Sequence, residues 1–325
     1  MELPGGLTSR PFEPKDLDAV YALAAAYDLD MLGEFHVGKA DIEGFWNIPN
    51  FDIAADSMGI FDGSVLAACA EIQMGKYLDV CVHPDYRGRG LGSLLAAWSE
   101  DQLRKGGAAK AFQSAPVADS AALAIFAARG YDKASTSWVL AFPADVTIPQ
   151  RELPEGYAVR PFNPGVEERM VYEVVQVAFG EWPERARTPF EDWKVLIFDR
   201  KGFHPDKLLV ATYADEVIGV CSVIDGDRAG WIQNLAVDKA HRNRGIAQVL
   251  LAKAFEGTRS RGLDRAELGT DSRSGALGLY EKLCMRVTQS YEDWSLELHA
   301  HVNMDVTPTL YDQAVDRSPQ GEKEE

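Results

Sequence analysis

Two glycine-punctuated stretches carry the residue types best spaced for chemistry. Trp231 to Ala254 reads WIQNLAVDKAHRNRGIAQVLLAKA. It is a short apolar strand to Val237, a basic polar loop, then Gly245 and the apolar residues Ile246, Val249, Leu250 and Phe255 at helical spacing. A strand running into a loop whose glycine opens a helix is a device for holding anions. The first backbone N–H groups of the helix lack intrahelical partners, and the positive end of the helix favours negative charge. Gly245 and Ala247 keep side chains off the backbone so that a ligand can approach, and Arg242 and Arg244 add positive charge. Taken alone, the stretch is equally well an ordinary strand–turn–helix with two solvated arginines. Tyr77 to Trp98, YLDVCVHPDYRGRGLGSLLAAW, repeats it, with Arg87 matching Arg242, Gly90 matching Gly245 and Gly92 matching Ala247. Two copies in the same setting select the anion cradle, with a pyrophosphate as the fitting ligand.

Arg87-x-x-Gly90-x-Gly92 and Arg242-x-x-Gly245-x-Ala247, each following a strand, resemble the acyl-CoA signature of the GCN5-related N-acetyltransferases (GNAT). Gly275 to Met285, GALGLYEKLCM, resembles the last helix and strand entry of the same fold. Two such domains in one chain resemble the tandem acetyltransferases common in actinobacteria, of the mycothiol-synthase-like type. The resemblance implies acetyl-CoA as cosubstrate. It would be held by Leu235, Ala236, Val237, Arg242, Asn243, Arg244, Gly245, Ile246 and Ala247 in the C-terminal half. In the N-terminal half the matching residues are Val82, Arg87, Gly88, Arg89, Gly90 and Gly92. Family is specified by these motifs; the acceptor is not.

An amine attacking a thioester needs a polarised carbonyl, loss of a proton from nitrogen, and a proton for the departing thiolate. In the family a splayed cradle strand supplies backbone donors, which by position is Asn234 to Val237. A tyrosine on the following helix often protonates the thiolate, and Tyr280 matches that position. Its ordinary alternative is a half-buried aromatic on an amphipathic helix. The N-terminal counterpart is Phe126, which has no proton to give, so the resemblance assigns catalysis to the C-terminal half. A carboxylate often stands on the cradle strand as general base; here the C-terminal positions read Gln233-Asn234, while Asp79 holds the equivalent place in the N-terminal half. Glu267 and Asp271 are the candidate substitute bases; a water chain, or an amine that arrives neutral, would need neither. The family's asparagine ahead of the tyrosine is replaced by Ser272 and Ser274. The implied activity is transfer of acetyl from acetyl-CoA to a primary amine of a small molecule, by direct attack in the C-terminal domain. An enzyme acting on a protein or peptide amine, and an acyl-CoA-binding module without turnover, are the alternatives.

The elements that must position these groups also occur twice. Arg10-Pro11-Phe12-x-Pro14 returns as Arg160-Pro161-Phe162-x-Pro164, each a first strand leading to a helix, Asp16 to Tyr27 and Val166 to Phe179. Aromatic-rich segments follow, with Phe35, Phe45 and Trp46, then Trp182, Phe190, Trp193 and Phe198. The resemblance sets these over the acceptor side of the cleft; packing of amphipathic helices accounts for most of them. Hairpins turn at Asp62-Gly63 and Asp215-Glu216, with Cys69 and Cys221 at equivalent places. After each cradle come a short strand, a helix and a closing strand, Ser137 to Phe142 and Trp294 to Leu298. The expected fold is α/β, two tandem GNAT domains, each a mixed, mostly antiparallel twisted sheet with helices on both faces. Residues 1–145 form the N-terminal domain, 146–156 a proline-bearing linker, 157–299 the catalytic domain and 300–325 a partly disordered tail.

The chain's 325 residues suffice for about two domains. A formal charge of −17 disfavours nucleic acid and attracts a cationic amine, besides keeping the protein soluble. No signal pattern and no membrane-spanning apolar run is visible, so the expected location is cytoplasmic, without a membrane partner. Cys69, Cys81, Cys221 and Cys284 show no metal-ligand spacing and read as small buried residues, with no metal expected. A monomer or a homodimer fits equally.

Overall fold

The computed structural model describes residues 3–298 apart from 36, 37, 49, 144, 149, 150, 182–186, 201 and 227; the expected tail, 300–325, and Trp182 lie outside the described residues. Strand β1 (Thr8–Arg10) enters helix α1 (Leu17–Leu32), followed by α2 (Lys39–Trp46). Strands β2 (Ser57–Asp62), β3 (Val65–Gln73) and β4 (Tyr77–Val82) form a meander that leads into α3 (Leu91–Lys105). Then come β5 (Lys110–Pro116), α4 (Ser120–Ala128) and β6 (Asp132–Pro143). The second half repeats this with β7 (Tyr157–Pro161), α5 (Glu168–Phe179), α6 (Phe190–Ile197), β8 (Leu208–Tyr213), β9 (Glu216–Asp225) and β10 (Ala229–Val237). It ends with α7 (Ile246–Ser260), β11 (Arg265–Asp271), α8 (Leu277–Lys282) and β12 (Arg286–Glu297).

The repeated Arg-Pro-Phe has a physical purpose. Arg10 grips Asp16 through two hydrogen bonds of 2.6 and 2.8 Å, and Arg160 grips Glu167 through bonds of 3.0 and 2.6 Å. Each fork ties a first strand to the start of its helix, a geometry that guanidinium and carboxylate match in two places at once. Most of the aromatics of the variable segments pack as core. Trp46 on α2 lies tilted 5.7 Å from Phe12, while Trp193 on α6 lies 5.5 Å from Tyr172 and 5.4 Å from Phe198. Phe35 and Phe45 remain exposed.

Alternation along the strands sends side chains to two helical layers. Cys69 packs with Val20, Leu23 and Ile42 from α1 and α2, whereas its neighbours Ala68 and Ala70 pack with Leu91 and Leu95 from α3. In the second half Val210 and Val220 meet α5 and α6, while Cys221 and Ile232 meet α7 and α8. Cys69 and Cys221 are buried as expected, Cys81 is half-buried, and Cys284 is exposed at a left-handed position, φ 66°, matching Gly130 in the first repeat. Among the described residues, no helix is long and apolar enough to cross a membrane.

The two repeats share one twelve-stranded sheet, ordered β1-β2-β3-β4-β5-β12-β6-β11-β10-β9-β8-β7. Among the described residues only β4–β5 and β10–β11 run parallel. The closing strands are exchanged: β12 of the second repeat lies between β5 and β6, and β6 of the first pairs with β11. Both are twelve residues long, more than the short closing strands the sequence suggested. One row of partners runs Pro116–Tyr291–Ser137–Asp271 across β5, β12, β6 and β11. The local two-fold relating the halves therefore passes between Tyr291 and Ser137.

Candidate active site

Each cradle is a loop in which alternate residues turn left-handed. Asn243 and Gly245 have φ of 62° and 83°, and Gly88 and Gly90 have 74° and 80°. Alternation of this kind turns successive N–H groups to one side and makes an anion-binding nest at the mouth of the next helix. Asparagine tolerates the left-handed region better than most residues, which lets it replace Gly88 in the second copy. Gly245 and Gly90 are the N-caps of α7 and α3. A Cβ on Gly92 would stand 3.2 Å from Ile125 and 3.6 Å from Val82, so this glycine serves close packing of α3. The second copy accommodates a methyl there, Ala247.

The signature arginines are differently employed. Arg242 donates to both carboxylate oxygens of Glu181 at 2.8 and 2.9 Å, and to the Val237 carbonyl at 3.0 Å. Arg87 pairs with Asp30. Both pin their loop to the far end of the first helix of their half, and Arg244 is left as the exposed cation of the second loop. Glu181 and Asp30 had no signal in sequence beyond being acidic.

The cradle strands diverge from their parallel neighbours. Pairing of β10 with β11 ends at Trp231–Glu267, and pairing of β4 with β5 ends at Leu78–Gln113. Beyond these points one backbone edge of each cradle strand faces a gap, including Leu235, Ala236 and Val237 in one half and Val82 in the other. The cradle strands also differ: β10 slips against β9 between Ile232 and Asn234, leaving Gln233 as an extra residue, whereas β4 pairs with β3 from Tyr77 to Val82 without a slip. A bulge breaks the ladder locally and re-aims backbone groups, as bulges beside reactive centres do.

Tyr280 lies on α8 in the apolar cluster with Ile218, Cys221, Ile246, Leu250 and Leu268. Among the described residues three tyrosines are buried: Tyr131 donates to Glu100 and Tyr172 to the Thr188 carbonyl, but the Tyr280 hydroxyl makes no hydrogen bond. Among the described residues the side-chain atoms sealed from solvent without a partner are Arg87 Nη2 and Gln113 Nε2, so the Tyr280 hydroxyl opens onto accessible space. Burial pushes its pKa up to about 12, which keeps the proton in place. Phe126, its counterpart, is buried against Tyr131 and Trp294.

Glu267 and Asp271 project from the β11 face opposite α7. Glu267 is buried and accepts from Arg265 at 2.5 Å; Arg265 also reaches Glu34 of the first half at 2.7 Å. Asp271 accepts from Arg273 Nη2 at 2.6 Å and from the Arg273 and Ser274 backbone N–H groups. It borders a cavity of about 400 Å³ at the local two-fold, together with Gly269, Ser137, Ser114 and Tyr291. Glu267 does not line it. Asn234 is turned to Ser222, 3.0 Å away.

The first half holds a second carboxylate pair that sequence reading half missed. Asp79 stands directly opposite Glu71 on β3. Burial pushes the Glu71 carboxyl up to about 7, against the opposing effect of a 2.9 Å hydrogen bond from Trp46 Nε1. Asp79 opens to the cleft yet is enclosed enough for its carboxyl to be raised, with Asp28 adding to the effect. Glu71 was hidden in an apolar strand run. Because its folded pKa exceeds the unfolded value of 4.5, the folded state holds the extra proton between about 4.5 and 7, and stability falls as pH rises through that window. Glu71→Gln should therefore melt higher than the parent at pH 8, and the gap should close towards pH 5 in parallel thermal scans.

The acetyltransferase (GNAT) family profile matches residues 30–131 and again 168–284. A mycothiol acetyltransferase of Thermobispora bispora is 32% identical over 234 residues, covering 69% of this chain and 78% of that protein. One from Salinispora arenicola is 31% identical over 261 residues, 77% of this chain and 78% of its own. Among solved structures, a GCN5-related N-acetyltransferase from Sphaerobacter thermophilus superposes with a TM-score of 0.77 at 29% identity, over 92% of this chain and 98% of that one. A tandem GNAT protein from the clavulanic acid biosynthesis pathway shares the fold, with a TM-score of 0.70 at 16% identity, over 90% and 99% of the two chains. With both cradles inside the matched segments, the chain belongs to the acetyltransferase (GNAT) family, as a tandem member that uses acetyl-CoA as its cosubstrate.

Proposed function

We propose that this enzyme transfers acetyl from acetyl-CoA to the primary amine of a small molecule, with the chemistry in the C-terminal half. The observation that carries this reading is the buried tyrosine with an uncommitted hydroxyl, set against a phenylalanine in the other half. In the proposed reaction, the loop from Arg242 to Ala247 holds the pyrophosphate by its backbone N–H groups. The free edge of β10 orients the pantetheine arm and the acetyl carbonyl. The amine nitrogen bonds to the carbonyl carbon, the carbon–sulfur bond breaks, and Tyr280 gives its proton to the sulfur. A thiolate emerging in the same desolvated layer has its own pKa raised, which narrows the gap to the phenol. The amine approaches from the cavity at the two-fold, whose wall offers Asp271 and hydroxyl groups; Asp271 takes the proton, directly or through water. Glu267, held by Arg265, orients the strand.

The mycothiol acetyltransferases among its relatives make a mycothiol-related amine the first acceptor to test. Thiol release from acetyl-CoA against a panel of amines tests the reading. Turnover on small amines supports it, turnover on peptides alone selects a protein acetyltransferase, and saturable binding without turnover selects a binding module.

A second reading has its own support. The Glu71–Asp79 pair places a base poised near neutrality beside the N-terminal cradle. On the primary reading that half binds acetyl-CoA without turning it over. Gly90→Asp should then leave kcat largely intact while lowering the melting-temperature gain from added acetyl-CoA, because ligand bound to the native state adds RT ln(1 + [L]/Kd). Loss of most turnover with the C-terminal site still occupied would move the chemistry to Glu71 and Asp79.

A further inference from the structure

The segment joining the repeats is strapped along the second domain. Ile148 is buried in the core beneath α7, Leu153 packs against the same core, and Arg259 on α7 donates to the Val146 carbonyl. This path brings Arg151 to the C-terminal cradle. A Cβ built on Gly245 would collide with the Arg151 side chain, standing 2.5 Å from its Cδ and 2.9 Å from its Cζ. Glycine at 245 thus answers two demands, a left-handed φ and the close approach of an arginine borne by the linker.

Charge makes the placement informative. The chain has 50 acidic and 33 basic residues, and Arg242 is neutralised by Glu181. Arg151 and Arg244 have no carboxylate partner among the described residues, and both are exposed at the mouth of α7. Arg244 lies 5.9 Å from the ring of Tyr157, whose hydroxyl bonds His241 at 2.9 Å. Two uncommitted guanidinium groups at one helix mouth concentrate positive potential in an acidic protein. Among the described residues the N-terminal cradle has no such cover: a Cβ on Gly88 or Gly90 would meet nothing within 4 Å. In sequence, Glu152-Leu153-Pro154 repeats Glu2-Leu3-Pro4, which puts Met1 opposite Arg151.

We propose that Arg151 is a phosphate-binding residue of the C-terminal cradle, supplied by the linker, and that it makes this cradle the tighter of the two for the phosphorylated end of acetyl-CoA. The inference rests on the reading that the C-terminal cradle binds acetyl-CoA. A guanidinium offers two parallel donors to phosphate oxygens, a contact lysine replaces only in charge.

The test is calorimetric, in a Gly90→Asp background so that a single cradle is read. Arg151→Gln should weaken acetyl-CoA binding about tenfold, the scale of one lost charge-assisted contact, and flatten its salt dependence. Arg151→Lys, which keeps the charge and loses the paired donors, should fall between Arg151→Gln and the parent. S-acetylpantetheine, which lacks the phosphorylated nucleotide, should bind all three proteins alike. Unchanged acetyl-CoA affinity in Arg151→Gln would overturn the proposal. So would equal weakening of both ligands, which would mark Arg151 as a packing residue of the linker. A Gly90→Asp parent that binds no acetyl-CoA would overturn the cradle reading itself and this inference with it.

Discussion

Tyr280→Phe is expected to lower kcat by about 10²-fold or more, the usual scale for removing a positioned general acid, while KM for acetyl-CoA changes little. Phenylalanine fills the same volume in the cluster of Ile218, Cys221 and Leu250, and no protein hydrogen bond is lost with the hydroxyl. The variant should therefore melt close to the parent, and the defect should belong to the chemical step. A leaving group that is already weakly basic, such as an activated thioester of low thiol pKa, should recover much of the lost rate. Turnover at the parent level would return Tyr280 to a packing role and shift attention to the N-terminal carboxylates.

The second large effect is expected at Gly245. Gly245→Asp should abolish acetyl-CoA binding to the C-terminal half and with it almost all turnover. The new carboxylate would stand in the anion nest, meet Arg151 where the Cβ already collides, and attract Arg151 and Arg244 to itself. It would also have to adopt φ 83°, a conformation costing a side chain roughly 1 kcal/mol. Gly245→Ala carries the strain and the collision without the charge. Comparing the two by calorimetry in the Gly90→Asp background separates steric from electrostatic loss. Unchanged affinity in Gly245→Asp would remove pyrophosphate from this loop.

Local grammar was legible where it is written in consecutive residues. The cradles, the hairpins and the Arg-Pro-Phe entries are each written in a short run of consecutive residues, and the contrast between Tyr280 and Phe126 follows from laying one repeat on the other. What sequence could not show is set by partners far apart in the chain. Both closing strands alternate in the same way and have equal length, so nothing in either says which β5 or β11 edge it joins. Glu71 sits in LAACAEIQ, where apolar neighbours signal a buried strand and hide a carboxylate whose partner, Trp46, comes from another element. Asp271 and Glu267 could be named as carboxylates, but their commitment to Arg273 and Arg265 depends on the folded loop and sheet.

Exchange of the closing strands has a consequence for how the protein is made. On the ribosome β6 is finished long before β12, yet the place beside β5 belongs to β12. At ordinary synthesis rates, the interval between Asp132 and Arg286 lasts roughly 8–30 s. Throughout it the β5 edge of the first repeat waits for β12, and until Arg265–Asp271 is made the β6 strand also lacks its partner β11. Exposed edges of this kind recruit other chains. The nascent polypeptide therefore needs shielding until its last strand emerges, and closure of the sheet, the step of greatest sequence separation, is the slow one. A message truncated before β12 yields two unfinished sheets, so neither repeat is free to be lost while the other continues to work.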